Sequence, residues 1–148
     1  MEIQSPAFGD SGRINDKYTC AGQNLNPELK FLNTPEETKS FALIVDDPDA
    51  SRGITFNHWL IWNIPAGTKV IPEGRSPERA VQGKNDGGGY GYMGPCPPVG
   101  KPHHYRFKLY ALNDMLSINK DASLSELENE IKLHLLAEAQ LVGIFERK

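Results

Sequence analysis

Strand patterns fill the centre of this 148-residue chain and constrain its fold more than any other feature. Residues 41–45 form a continuous apolar run, which is typical of a strand covered on both faces, and residues 58–64 form another before Pro65 and Gly67. Residues 103–112 instead alternate between apolar and polar side chains, as a strand with one buried face does. The 14 Gly and 11 Pro imply many turns and few long helices. The sequence therefore predicts a mainly β fold.

One helix and two further strands are predicted outside this central region. Residues 123–126 read Ser-Leu-Ser-Glu, the pattern of a capping box, and leucine and isoleucine then recur at helical spacing to about Ala139. Residues 141–145 predict a closing strand, and residues 1–6 predict an edge strand. The chain contains no internal repeat or linker, so we expect one domain over residues 1–148.

Charge and hydropathy exclude several classes of partner. With a net charge of −3, the chain has no excess of positive charge to attract the phosphates of a nucleic acid. No apolar run is long enough to span a membrane, and no charged-then-apolar signal opens the chain, so we expect a cytoplasmic protein without membrane insertion. Two cysteines, Cys20 and Cys96, do not make a disulfide framework, and we interpret them as two small, partly buried thiols.

Polar side chains lie at the ends of three apolar strands, at positions where packing of the core does not require them. They are Asp47, which directly follows one strand, His58, which opens the next, and the pair His103 and Tyr105. The alternation places His103 and Tyr105 on the core-facing side, whereas His104 points outward. We expect Asp47 to pair with His58, hold one tautomer and raise the imidazole pKa. Asp49 is expected to have the more structural role in the turn.

A long glycine- and proline-rich stretch, residues 83–102, holds seven Gly and four Pro. A loop of this size in a compact domain is usually functional or disordered, and we predict an ordered, functional loop. Residues 89–94 match the letters of a dinucleotide-binding fingerprint, but Pro95, Pro97 and Pro98 prevent the helix that this motif needs. The glycine amides instead suggest a small anion nest.

Three chemistries are compatible with this set of polar residues. Asp47, His58 and His103 resemble parts of a hydrolase, but the chain has no nucleophile elbow. A thiolate at Cys96 is an alternative nucleophile, although its flanking prolines fit a rigid structural turn equally well. Metal chelation by the acids and imidazoles has no supporting spacing. We expect neither a cofactor nor a metal.

Several motifs along the chain resemble, in order and spacing, the phosphatidylethanolamine-binding proteins, and most closely their bacterial and archaeal Raf kinase inhibitor-like branch. The motifs are Tyr-Thr-Cys-x-Gly at 18–22, Asp-Pro-Asp-Ala at 47–50, His-Trp at 58–59, Gly-Pro-Cys-Pro-Pro-x-Gly at 94–100, His-x-Tyr at 103–105 and Ala-Glu-Ala-x-Leu-Val-Gly at 137–143. Together they cover nearly the whole chain.

The resemblance implies an antiparallel, Greek-key-like β-sandwich with one or two short peripheral helices and a small anion pocket at one end. It implies that seven residues contribute to ligand binding: Asp47, Asp49, His58, Cys96, Pro97, His103 and Tyr105. Cys96 and Pro97 would supply backbone and a wall, and Asp49 would brace the acidic loop. Ser51 and His104 stand where relatives often have Pro and Arg. The extra C-terminal helix of the animal relatives is expected to be missing.

The leading hypothesis is a non-catalytic protein that binds a small phosphorylated or carboxylated ligand, such as a phospholipid head group. His58 and His103 would supply positive charge, so affinity should fall as pH rises through the imidazole pKa, about 6.5. A second hypothesis is an inhibitor of a serine protease or kinase that acts through an exposed loop. A third is a hydrolase that uses Asp47, His58 and His103. A homodimer is also possible, because the sequence does not determine the oligomeric state.

Overall fold

A computed structural model describes residues 1–148 as nine strands and one α-helix, with two short 3-10 turns at Asp16–Tyr18 and Ser51–Gly53. The elements follow one another as β1 (Glu2–Gln4), β2 (Gly12–Arg13), β3 (Leu29–Leu32), β4 (Ser40–Asp47), β5 (Phe56–Pro65), β6 (Val70–Ile71), β7 (Val81–Gln82), β8 (His103–Leu112), α1 (Leu124–His134) and β9 (Leu135–Phe145). The helix is too short and too polar to cross a membrane.

The strands form two sheets. One has six strands in the order β2-β9-β8-β4-β5-β7, and the other has three in the order β1-β3-β6. All strand pairs are antiparallel except the short parallel pair of β2 and β9. The predicted fold class, a mainly β, two-sheet protein with a peripheral helix, is confirmed. The edge strand predicted near the N-terminus is β1.

Strand β4 lies between β8 and β5, and its eight residues are all buried, as its apolar run predicts. Its Phe41, Leu43 and Val45 face the larger core between the two sheets. Ala42 and Ile44 face a second core that α1 covers. Burial on both faces is what a central strand with a helix on one side requires, and it explains why this segment does not alternate in hydropathy.

The helix begins as predicted but ends earlier. Ser123 and Glu126 exchange both hydrogen bonds of the capping box. The helix ends at His134 rather than near Ala139, because β9 begins at Leu135 and pairs with β8 along nearly its whole length. The observed strand β9 therefore begins six residues before the predicted closing strand. Sheet pairing has overridden the helical spacing of Leu135 and Leu136.

The prediction of two free thiols is wrong, because Cys20 and Cys96 form a disulfide. Both cysteines are exposed rather than partly buried. The bond joins the segment after the first 3-10 turn to the proline-rich part of the long loop, across a sequence separation of 76 residues. The Cys20 amide also donates to the Pro95 carbonyl at 3.1 Å. Two cysteines so far apart carry no spacing signal, so only the tertiary structure reveals their pairing.

The double variant Cys20→Ser/Cys96→Ser should lose about 4 kcal/mol of unfolding free energy, because the unfolded chain is no longer constrained by a large closed loop. Urea denaturation of the oxidised protein and of the variant measures this difference. Fully reduced wild type is the matched control and should unfold like the variant. A double variant as stable as the oxidised protein would contradict the cross-link.

Candidate functional site

A cavity of about 340 Å³ opens at the end of the sandwich where β4 ends and β8 begins. It contains six of the seven predicted site residues. Its lining combines acid, imidazole and phenol groups with apolar walls, from Asp47, Ala50, Ser51, Ile54, Phe56, His58, Met93, Cys96, Pro97, Pro98, His103 and Tyr105. The three strand ends that the sequence singled out therefore do converge on one pocket.

The base of the pocket is a buried, hydrogen-bonded pair of side chains, Asp47 and His103. Asp47 continues the inward-facing series of β4, and His103 opens the inward-facing series of β8. The His103 Nδ1 atom lies 2.6 Å from Asp47 Oδ2, and both side chains are 5 % exposed. The second oxygen of Asp47 accepts the Asp49 amide at 2.8 Å. Asp47 therefore orients the imidazole and closes the turn that follows β4 at the same time.

The predicted pairing of Asp47 with His58 is wrong. The His58 ring instead lies 2.7 Å from the Met93 carbonyl oxygen through Nδ1, and the Met93 amide donates to the His58 carbonyl at 3.0 Å. These reciprocal bonds fasten the long loop to β5. We expected Asp47 and His58 to pair because they lie at the ends of consecutive strands. In the sheet, however, β8 lies on the other side of β4 from β5, and its His103 contacts Asp47.

A β-bulge aims His58 into the pocket. Val45 pairs with Trp59 and Asp46 pairs with Asn57, so His58 has no partner across the sheet. An extra residue of this kind breaks the strict alternation of side chains. Trp59 consequently enters the core between the sheets while its neighbour His58 lines the cavity. The apolar pattern of β5 carries no mark of this bulge.

His58 is held in one tautomer with a depressed pKa. A carbonyl oxygen only accepts hydrogen bonds, so Nδ1 carries a proton and Nε2 of the neutral ring is an acceptor. Burial lowers the pKa of His58 below its usual 6.5, although the Met93 carbonyl and the Asp47 carboxylate act in the opposite direction. At neutral pH the ring is therefore uncharged, which is opposite to the raised pKa that the sequence predicted.

Tyr105 brings an unused donor to the pocket. Its side chain is 1 % exposed, and its hydroxyl has no hydrogen-bond partner in the protein. Burial raises the pKa of the phenol, and the charge of Asp47 raises it further, so the hydroxyl keeps its proton. The ring contacts His58 edge-on at a centroid distance of 5.3 Å. A buried hydroxyl without a partner is unfavourable, and an acceptor on a ligand would satisfy it.

The long loop is ordered, as predicted, but its glycine amides do not form an anion nest. The Asn85 side chain holds the loop together by accepting from Gly87 and Gly89 and donating to the Gly91 carbonyl. The amides of Gly88, Gly91 and Gly94 also donate to oxygens of the protein. Closer to the pocket, the Cys96 amide makes no hydrogen bond within the protein.

The remaining acids of this end of β4 are paired on the opposite face of the sheet. Asp49 lies outside the cavity and accepts from the His104 amide at 2.9 Å and from its ring at 2.7 Å, which fits the predicted bracing role. Asp46 is buried and bonds both Arg106 and Lys108. His104 points away from the cavity, as the alternation predicts. No cluster of three or more acids, imidazoles or cysteines has metal-binding geometry.

Comparison with known proteins identifies the family. A sequence model of the phosphatidylethanolamine-binding proteins matches residues 4–146. The chain belongs to this family. A UPF0098 protein of Pyrococcus horikoshii is 47% identical, covering 97% of this chain and 76% of the relative. A UPF0098 protein of Methanothermobacter thermautotrophicus is 44% identical and covers 99% of both chains. The resemblance to the bacterial and archaeal branch is thereby confirmed.

Solved structures of the same family share the fold. A phosphatidylethanolamine-binding protein homologue from Chlamydia trachomatis superposes with a TM-score of 0.93 at 35% identity, covering 99% of this chain and 97% of the other. Escherichia coli YbcL, described as a member of the mammalian family, gives a TM-score of 0.92 at 34% identity, with 99% and 98% coverage. A carboxypeptidase Y inhibitor bound to its proteinase shares the fold alone, at 17% identity and a TM-score of 0.61.

Sequence reasoning missed the apolar half of the pocket. Phe56 packs against His58 with ring centroids 4.8 Å apart, and Ile54, Met93 and Pro98 complete the walls. Phe56 could have been predicted as a pocket residue, because antiparallel pairing of β5 with β4 places it opposite Asp47. The other three lie on loops, whose path the sequence pattern does not predict.

The lowered pKa of His58 makes stability depend on pH. Because the folded state binds this proton less readily than the unfolded state, the contribution to stability is complete above about pH 6.5 and is lost as pH falls. Each pH unit of descent should remove up to about 1.4 kcal/mol of unfolding free energy. His58→Asn, whose side-chain amide can still donate to Met93, should lack this loss.

Urea unfolding of both proteins at pH 7.5 and pH 5.5 measures the difference in slope. His134→Asn is the matched control, because His134 lies at the end of α1 and contacts Asn113 rather than the pocket. The His134→Asn variant should lose as much unfolding free energy between pH 7.5 and pH 5.5 as wild type does. If the unfolding free energies of wild type and His58→Asn change equally with pH, His58 has the same pKa in the folded and unfolded states, and the prediction is wrong.

Proposed function

We propose that the protein binds a small phosphate-bearing anion, such as a phospholipid head group, in the pocket of Asp47, His58, His103 and Tyr105, and does so without catalysis. The observation that carries the proposal is that Tyr105 lines the cavity while its protonated, buried hydroxyl has no hydrogen-bond partner in the protein. An anionic oxygen is the acceptor that this donor lacks, and charge-assisted hydrogen bonds are the stronger kind.

The hydrogen bond between His103 and Asp47 makes an anion acceptable beside Asp47 when His103 is protonated. Nδ1 of His103 already bonds the carboxylate, so the Asp47 charge is directed at the imidazole. When His103 carries two protons, Nδ1 donates to Asp47 and Nε2 is a second donor for the ligand. The Cys96 amide has no partner within the protein and is a further candidate donor whose N–H does not depend on pH. Asp49, paired with His104 outside the cavity, contributes by bracing the turn.

Anion binding is expected to draw a proton onto His58. The ring is neutral because burial disfavours its charge, and a bound anion would provide a partner for that charge. Affinity should therefore increase as pH falls and weaken as pH rises. The expected direction is the one that the sequence predicted, although the cause is the depressed pKa of His58.

The apolar walls favour an organic phosphate over the inorganic ion. Phe56, Met93 and Pro97 line the cavity above the polar base, and together they suit a short carbon chain next to the charged group. The cavity volume of about 340 Å³ suits a head group or another small organic phosphate. The family name of the chain agrees with this class of ligand.

The two alternative functions stay predictions. Inhibition of a protease or kinase has no support in the pocket, and the carboxypeptidase Y inhibitor is similar in fold alone. For a hydrolase, the disulfide removes Cys96 as a thiolate nucleophile. Ser51 lines the cavity but its hydroxyl makes no hydrogen bond to an imidazole. The binding proposal therefore uses the observed geometry most fully.

The proposal treats residues 1–148 as one domain whose two sheets share a core. A cytoplasmic location also stays a prediction.

Tyr105→Phe should weaken the binding of phosphoethanolamine at pH 6 by roughly tenfold or more, because it removes one hydrogen bond to a charged group. The same variant should keep or raise the free energy of unfolding, since the lost hydroxyl has no hydrogen-bond partner within the protein. Calorimetry measures the affinity and urea denaturation the stability. His103→Ala should abolish binding, whereas His134→Ala is the control that should bind like wild type.

Titration of wild type with phosphate and phosphoethanolamine from pH 5 to pH 8 completes the test. A flat affinity over this range would remove the imidazoles from the mechanism. Failure of wild type to bind either compound at any pH would overturn the proposed function.

A further inference from the structure

The disulfide between Cys20 and Cys96 is part of the pocket wall. Cys96 lines the cavity, whereas Cys20 lies outside it, in the segment that follows the first 3-10 turn. Both residues are exposed to solvent. Exposed disulfides are generally reduced more readily than buried structural ones, so this bond is accessible to thiol exchange.

The chain immediately before Cys96 is held by hydrogen bonds. Met93 exchanges two of them with His58 on β5. The Gly94 amide donates to the side-chain oxygen of Asn24 at 3.0 Å. None of these bonds depends on the disulfide, so reduction would leave this part of the loop attached to the sandwich.

The next four residues have no such attachment. Residues 96–99 neither donate nor accept a hydrogen bond within the protein, and Pro97 and Pro98 have no amide hydrogen to donate. The next hydrogen bond along the chain joins the Gly100 amide to the Arg147 carbonyl at 3.2 Å. Apart from the packing of the buried Pro97, the disulfide is therefore the only tie between these four residues and the rest of the protein.

These residues form one side of the cavity. Cys96, Pro97 and Pro98 line it, and the Cys96 amide is one of the candidate donors to the ligand. When the bond to Cys20 is broken, the segment is free to move between the hydrogen bonds that flank it. The apolar wall and the Cys96 amide would then lose their fixed positions relative to the other ligand-binding groups.

From these contacts we propose that the disulfide between Cys20 and Cys96 is a redox switch for the pocket. The oxidised protein binds its phosphate-bearing ligand, and reduction by a dithiol weakens binding by releasing residues 96–99. The inference rests on the proposed function, because the switch acts on that binding site. Neither cysteine belongs to a hydrophobic core, so reduction leaves both cores intact and its effect is local.

The switch operates by thiol–disulfide exchange. A thiolate of the dithiol attacks one sulfur of the bond, a mixed disulfide forms, and the other protein cysteine leaves as a thiolate that takes up a proton. The second thiol of the reductant then attacks the mixed disulfide and releases the second protein cysteine. Two electrons and two protons pass to the protein, which gains two thiols, while the dithiol becomes a cyclic disulfide. Oxidised glutathione reverses the reaction and is itself reduced to two thiols.

Calorimetry with phosphoethanolamine at pH 6 tests the switch. Wild type is reduced with dithiothreitol at pH 8, transferred to pH 6, where protonated thiols exchange slowly, and compared with the oxidised protein. The reduced protein should bind roughly tenfold more weakly, because a hydrogen-bond donor to a charged group is no longer held in place. Treatment with oxidised glutathione at pH 8 should restore the affinity of the oxidised protein.

Serine variants separate loss of the bond from direct effects of the reductant. Cys20→Ser keeps the Cys96 side chain in the pocket but cannot form the bond, and in dithiothreitol it should bind as weakly as reduced wild type. Cys20→Ser/Cys96→Ser should show the same weak affinity with and without dithiothreitol. If Cys20→Ser binds like oxidised wild type, the bond does not control the pocket and the switch is wrong.

Two further measurements show whether the effect is local. Far-UV circular dichroism of the reduced and oxidised proteins should be the same. Nuclear magnetic relaxation of ¹⁵N should show that the Val99 amide becomes more mobile on reduction, whereas that of Leu43 in β4 does not. Unfolding of the reduced protein at the temperature of the titration would show that the disulfide maintains the whole fold, and would overturn the switch.

The outcomes distinguish the switch from the binding function. A folded, reduced protein that binds phosphoethanolamine as tightly as the oxidised protein would overturn the switch and leave the proposed function standing. Failure of oxidised wild type to bind either phosphoethanolamine or phosphate would overturn the proposed function, and the switch with it. Weaker binding after reduction that oxidised glutathione restores, with an intact fold throughout, would support both.

Discussion

The junction between the end of β4 and the start of β8 determines the rest of the site. Three acids leave β4 within four residues, and each is met by a basic side chain of the neighbouring strand: Asp47 by His103, Asp49 by His104, and Asp46 by Arg106 and Lys108. Unpaired, these carboxylates would repel one another, and the two buried ones would be costly to fold. Their pairing lets an acidic strand end lie at the centre of the larger sheet.

The pleat of the sheet divides this charge between two faces. The inward positions hold Asp47 and His103 at the base of the pocket, whereas Asp46 and its two cations remain on the outer face. The inner pair leaves one imidazole nitrogen unbonded, and the hydroxyl of the neighbouring Tyr105 has no partner. The same residues thus satisfy a buried carboxylate and line the proposed anion site.

Much of the fold could be predicted from the chain because its signals are local. Continuous and alternating hydropathy identified β4 and β8, and the alternation alone assigned His103 and Tyr105 to the inner face. The capping box located the start of α1. Its end was misjudged, because the leucines of residues 135–136 have helical spacing while their backbone pairs with β8. Local periodicity does not report a competing partner that lies elsewhere in the sequence.

The sequence by itself determined the mainly β class, the family resemblance and the identity of half of the pocket residues, since motifs and strand periodicity are properties of short segments. Tertiary structure alone decided which residues meet. It paired Asp47 with His103 rather than His58, because β8 and not β5 presents the nearer imidazole. It turned His58 inward through a bulge, and it joined Cys20 to Cys96. Such pairings depend on sheet order and loop path, which involve contacts between residues distant in the chain.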